Sequence, residues 1–252
     1  MVFQLMASGK YICLDTGSSN TANRNDFHLR GTSLGGWLVL EPWLTPSMFY
    51  QFLGKTSVYG DEAKKHIAID SYTFCLALGA EEANRQLRLH WKTWVDEDQI
   101  ANLSKIGVEN LRIPVGDWMY MPYHPFIGCW DGALDELDRV LRLCEKYSIK
   151  VLLDVHAMRM SQNGLDNSGD TGNYTWGQSV DTTNGRRESN YHHWDIRGGN
   201  WIGNFNLTTH SYDTFNKTNV EESLKLIAII VDRYKTDPVV VGLEPGKFNS
   251  FT

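Results

Sequence analysis

The run "IKVLLDVH" (149–156) constrains this chain more than any other stretch. It is a continuous apolar strand of the kind buried on both faces in a parallel sheet. Just before it, "WDGALDELDRVLRLCEKYS" repeats Leu134, Leu137, Val140, Leu141 and Cys144 at helical spacing. A helix that feeds a buried strand is one unit of an α/β fold.

The same alternation runs through the chain. "SLGGWLVLEPW" reads as a first strand with Glu41 just past its end, and "ENLRIPV" as a second, closed off by Pro114. Helical stretches lie between them: "DEAKKHIAIDSYTFCLALG", "AEEANRQLRLHWKTW" and "DEDQIANLSKIG", the last with Ile100, Leu103 and Ile106 on one face. "TNVEESLKLIAIIVDRYK" opens on a capping-box pattern from Thr218 to Glu221. It carries Val220, Leu224, Ile227, Val231 and Tyr234 as an apolar stripe. "PVVVGL" is the fourth strand. Strands alternating with helices imply right-handed βαβ units and a parallel sheet. A (β/α)8 barrel takes about 250 residues, so length alone allows a whole one, but four strands make half. Between Ala157 and about Thr218 lies a long polar stretch with six aromatics from Tyr174 to Phe205, which favours a functional loop.

Composition narrows the partners. The net charge is -6 and spread evenly, with no basic run, which argues against a polyanion and for neutral or small substrates. Aromatics make up 12% of the chain, nine of them Trp; flat aromatic faces suit sugar rings as well as cores. The cysteines Cys13, Cys75, Cys129 and Cys144 have no metal spacing and permit three pairings. Sequons at Asn102, Asn173, Asn206 and Asn216 fit a secreted protein. The start lacks the basic region and apolar core of a signal peptide, and no stretch is long enough to span a membrane.

Polar residues collect where the strands finish: Glu41 after the first, Arg112 in the second, His156 at the end of the third and Glu244 after the fourth. In parallel α/β folds that carboxyl-terminal edge is where sites are built. Each residue alone has an ordinary structural reading, as an ion-pair partner, a buried histidine or a loop residue. Four on one edge are harder to explain that way.

"RGTSLGGWLVLEPWLTPSMF", "HWKTWVDEDQIANLSKIGVENLRIPVGDW", "VLLDVHAMRMSQNGLDNSG" and "VVVGLEP" resemble the exo-1,3-β-glucanases of glycoside hydrolase family 5, especially the fungal and oomycete type. The resemblance runs from about Arg30 to Pro245. It implies the (β/α)8 TIM-barrel family with only the N-terminal half, about four βα units, present. It also implies a secreted or cell-wall enzyme that releases glucose from the non-reducing end of β-1,3-glucan with retention, without metal or cofactor. By that likeness Arg112 supports the nucleophile carboxylate. His156, Asn167 and Glu41 bind the terminal sugar, with Asp166 a weaker candidate. Carboxylate, amide, imidazole and guanidinium suit hydroxyls. Two positions depart from the family pattern: Leu165 stands where a Phe often clamps the second sugar, and Arg159 enters a loop that often reads "HGAPGSQNG".

Retaining hydrolysis needs two carboxyl groups about 5 to 5.5 Å apart. The family continues its fourth strand as "LEPVNEP", with the acid/base four residues beyond the Glu matched by Glu244. That position is Phe248, and the nucleophile segment has no counterpart in these residues. The expectation is a chain without either catalytic carboxylate, inactive alone, or a β-glucan-binding half-barrel, or halves that self-pair through open sheet edges. Gly246-Lys247-Phe248 can be encoded by GGTAAGTTT, which contains an intron donor sequence, so translation into an intron is the expected origin of the tail. The layout becomes an N-terminal extension (1–29), a half-barrel (30–245) and a tail unlike the family (246–252). Two open edges, one of them the fourth strand, predict poor solubility.

Overall fold

The computed structural model describes residues 30–52, 68–169, 199–206 and 208–246, and the backbone of 12–13, 178–180 and 187–189. Along the chain the strands are β1 (Ile12–Cys13), β2 (Gly31–Ser33), β3 (Asn110–Gly116), β4 (Lys150–Ala157), β5 (Gln178–Val180), β6 (Arg187–Ser189), β7 (Phe205–Asn206), β8 (Ser211–Tyr212) and β9 (Val240–Glu244). The central sheet has the order β1-β9-β4-β3-β2, with β2, β3, β4 and β9 parallel. β5 pairs with β6 and β7 with β8 as small antiparallel ribbons. β1 runs antiparallel along β9, Ile12 opposite Leu243 and Cys13 opposite Gly242. The fourth parallel strand, expected as an open edge, is therefore paired there.

The helices are α1 (Pro46–Phe49), α2 (Ser71–Leu78), α3 (Ala80–Trp94), α4 (Glu97–Lys105), α5 (Ala133–Lys146) and α6 (Lys217–Tyr234). Reciprocal caps start two of them: Asp70 with Thr73 at α2, and Asp96 with Gln99 at α4. α5 buries Leu137, Val140, Leu141 and Cys144 and packs against β4, α3 and α4. Leu111, Ile113 and Val115 of β3 and Val151, Leu153 and Val155 of β4 are fully buried in the same core. A disulfide joins Cys75 of α2 to Cys129 in the loop before α5, which selects one of the possible cysteine arrangements. Cys144 is a buried free thiol, pushed up to about 12 by desolvation.

Three local expectations change. The first strand is only Gly31–Ser33; the apolar residues after it form buried turns, because Gly36 adopts φ 66° and folds the chain back. Pro114 does not end β3, which continues to Gly116 with Pro114 opposite Asp154. The cap of α6 is Asn216, whose Oδ1 accepts from Asn219 N at 3.1 Å, so Thr218 lies inside the first turn. On α6 the buried line is Leu226, Ile230 and Tyr234, and Leu224 is 62% exposed, since two residues along a helix turn the side chain about 200° away.

Candidate active site

The period of two along three neighbouring strands builds the site. Arg112 pairs in register with Leu152, Pro114 with Asp154, and Asp154 with Glu244. Registered residues of a parallel sheet share a face, so Arg112, Asp154 and Glu244 rise on one side; His156, where the β3–β4 register shifts, joins them by its ring contact with Asp154. Their odd-numbered neighbours on β3 and β4 fill the core on the other.

Arg112 Nη2 donates to Asp154 Oδ2 at 2.7 Å and its Nε to Glu244 Oε2 at 2.8 Å. The guanidinium is only 25% exposed, and Asp154 is wholly buried. His156 Nδ1 lies 2.6 Å from the same Asp154 Oδ2. Because a carboxylate oxygen that already takes the Arg112 donor acts there as an acceptor, His156 Nδ1 carries the hydrogen. Among the described residues Asp154 Oδ1 receives no hydrogen bond. The sheet thus brings together Arg112, His156 and Glu244, and it does so through Asp154, which the motif reading passed over. The available signal was a lone carboxylate inside an otherwise apolar strand, two residues from His156.

Glu41 is fixed by a separate set of contacts. It is 6% exposed, and its Oε1 accepts from Gly36 N at 2.9 Å. The carbonyl of Gly36 meets His90 Nε2 at 2.8 Å, and burial holds the His90 imidazole below its ordinary range, in the neutral form. Three indoles complete the support of this turn: Trp37 Nε1 donates to Trp91 O, Trp94 Nε1 to Gly35 O and Trp130 Nε1 to Leu38 O, at 3.0 to 3.1 Å. The "HWKTW" segment of α3 therefore holds the turn from which Glu41 projects.

Asp166 and Asn167 sit in the loop after β4, which is tied back to the strand. Gln162 Nε2 donates to His156 O at 2.5 Å and Gln162 Oε1 accepts from Met158 N at 3.1 Å. Ser161 and Ser168 join their hydroxyls across the loop. Both Asp166 and Asn167 are half-buried, and Asn167 Oδ1 is buried without a hydrogen-bond donor among the described residues. Glu41 thus stands in the turn after β2, and Asp166 and Asn167 in the loop after β4. Phe248 lies outside the described residues.

Beyond β3, Trp118 stacks on Phe126 at 4.1 Å and packs beneath Gly116, where a Cβ would come within 2.4 Å of the indole. Asp117 accepts from Arg159 N at 2.8 Å and from Tyr123 OH at 3.0 Å, and desolvation pushes its carboxyl up to about 6. Arg159 lies over the Tyr123 ring, 4.1 Å from its centroid, so the departure from the family loop is accommodated by stacking. Two cavities of about 20 and 200 Å³ open near this loop and contain none of the expected sugar-site residues. The described residues contain no group of three His, Cys, Asp or Glu side chains arranged for a metal ion.

The sequence comparisons agree with the motif resemblance. The chain is 40% identical over 163 residues to a glucan 1,3-β-glucosidase of Blumeria graminis, covering 63% of this chain and 35% of that protein. It is 40% identical over 143 residues to a sporulation-specific glucan 1,3-β-glucosidase of Saccharomyces cerevisiae, covering 56% and 31%. Over those residues the chain is similar to glucan 1,3-β-glucosidases. The matches span about a third of the length of those curated relatives, and no family model matches. In fold, the chain superposes on a rutinosidase from Aspergillus niger with a TM-score of 0.56 at 18% identity, covering 88% of this chain and 49% of that one. The architecture is accordingly α/β, with the parallel strands and flanking helices of a half (β/α)8 barrel. No helix among the described residues is long and apolar enough to cross a membrane.

Proposed function

We propose that these residues form the sugar-holding half of a retaining exo-acting β-1,3-glucan hydrolase that releases glucose from the non-reducing end. The observation that carries this reading is the Arg112–Asp154–His156 cluster at the carboxyl-terminal edge of the sheet, in a chain similar to glucan 1,3-β-glucosidases. Such an edge is where parallel α/β proteins bind ligands. A neutral sugar needs fixed donors and acceptors for its hydroxyls. His156, Glu41, Asp166 and Asn167 supply them, and Arg112 supports a carboxylate. The reaction draws on acid and nucleophile carboxyls; with Phe248 at the acid/base position, these 252 residues are expected to hold glucan without cleaving it. The relationship to these glucosidases also supports export to the cell wall or medium.

A second reading concerns assembly: half-barrels that pair with one another. It is favoured by β2, the outermost strand of the central sheet at the edge opposite β1, with β3 its one neighbour in that sheet.

Incubation of the 252-residue protein with laminarin tests both the binding and the chemistry. Retention on laminarin resin without glucose release is the expected result. Glucose release dependent on His156 would place complete chemistry in this chain, and a folded protein that ignores laminarin would refute the glucan reading. Sedimentation in the same buffer reports the pairing.

A further inference from the structure

The wholly buried carboxylate of Asp154 belongs to none of the sugar-contact roles above, yet two of the site's side chains meet on one of its oxygens. We propose that Asp154 is a positioning residue that fixes His156 as the tautomer protonated on Nδ1 and presents its unprotonated Nε2 to a sugar hydroxyl as an acceptor. The inference rests on the sugar-site reading for the identity of the ligand, but the tautomer itself does not.

The geometry leaves little freedom. Arg112 Nη2 can only donate, so Asp154 Oδ2 is an acceptor at 2.7 Å. His156 Nδ1, 2.6 Å from that oxygen, must then donate to it. A neutral imidazole has one donor and one acceptor nitrogen, and the hydrogen bond made by one decides what the other can do. The strand supplies the alignment: Asp154 and His156 are two residues apart on β4, and at the register shift beside Gly116 the imidazole is turned onto the carboxylate. Gln162 grips the His156 carbonyl at 2.5 Å, which holds the backbone from the opposite direction. The same Asp154 oxygen fixes the plane of the Arg112 guanidinium, whose Nε then points at Glu244. A carboxylate that sets the tautomer of a working histidine without itself touching substrate is an established device in hydrolase sites.

Nitrogen-15 spectra of histidine-labelled protein, assigned with His156→Ala, read the tautomer directly. The wild-type protein is expected to show a protonated Nδ1 and a bare Nε2 at His156. In Asp154→Ala the Nδ1–H signature is expected to be lost, and affinity for laminaribiose to fall by about tenfold, as for loss of a hydrogen bond to a charged group. Asp154→Glu, which can restore the acceptor, is expected to recover part of both. A wild-type His156 protonated on Nε2 overturns the proposal without any variant, and so does a folded Asp154→Ala protein with an unchanged tautomer. If the tautomer follows Asp154 but wild-type protein binds no laminaribiose, the positioning role stands and the glucan reading fails.

Discussion

Arg112 and Glu244 are joined at 2.8 Å across the strand that separates them, β4, although they are 132 positions apart in the chain. With Asp154 on its other side, the guanidinium is the shared counter-charge of two carboxylates, one wholly buried and one nearly so. Its removal would leave both without a cation. Breaking a buried pair from one side costs about 3–5 kcal/mol, so Arg112→Ala is expected to lower unfolding stability by about that amount in urea titration. Arg112→Lys should recover little, because a point charge cannot replace a two-sided fork.

Asp117 gives a pH dependence with a definite sign. Burial raises its folded-state pKa from 3.8 to about 6, so the folded protein holds this proton more tightly than the unfolded chain does. The contribution is most favourable below the unfolded value and is lost as pH rises through about 6. Asp117→Asn, which cannot ionise, is expected to gain melting temperature relative to wild type as pH goes from about 4 to about 7. Parallel melts at those two pH values check it; a constant difference would contradict it.

The Cys75–Cys129 bridge closes a separation of 54 residues. Chain entropy alone gives such a loop about 4 kcal/mol of stabilisation. The double variant Cys75→Ser/Cys129→Ser should therefore lose up to that much in urea titration, while its count of free thiols stays that of wild type.

Gly116 is needed for space. A methyl group there would meet the Trp118 ring at 2.4 Å, and the ring is held against Phe126. Gly116→Ala is expected to cost about 1–3 kcal/mol, the usual range for overpacking a core, with a change in tryptophan fluorescence as its signature.

What could be seen in the sequence followed from periodicity. β3, β4 and β9 are apolar runs after amphipathic helices, and each lies within two residues of its expected place at either end. The stretch after β2 misled because Trp37–Leu40 are buried in a turn as completely as in any strand, and burial alone does not distinguish the two. Arg112 was visible as a polar residue inside a strand, and His156 and Glu244 as polar strand ends. Asp154 was not, because its meaning depends on register with β3 and β9, which one strand cannot show. The support of Glu41 by His90 and three indoles likewise arises from contacts made at long range.

The decisive measurement is a calorimetric titration of laminaribiose into the 252-residue protein and its His156→Ala variant. Saturable binding by wild type, weakened by about tenfold or more without His156, is the outcome expected of a β-1,3-glucan site on this face of the sheet. Equal affinity in both folded proteins, or no heat in either, would contradict it.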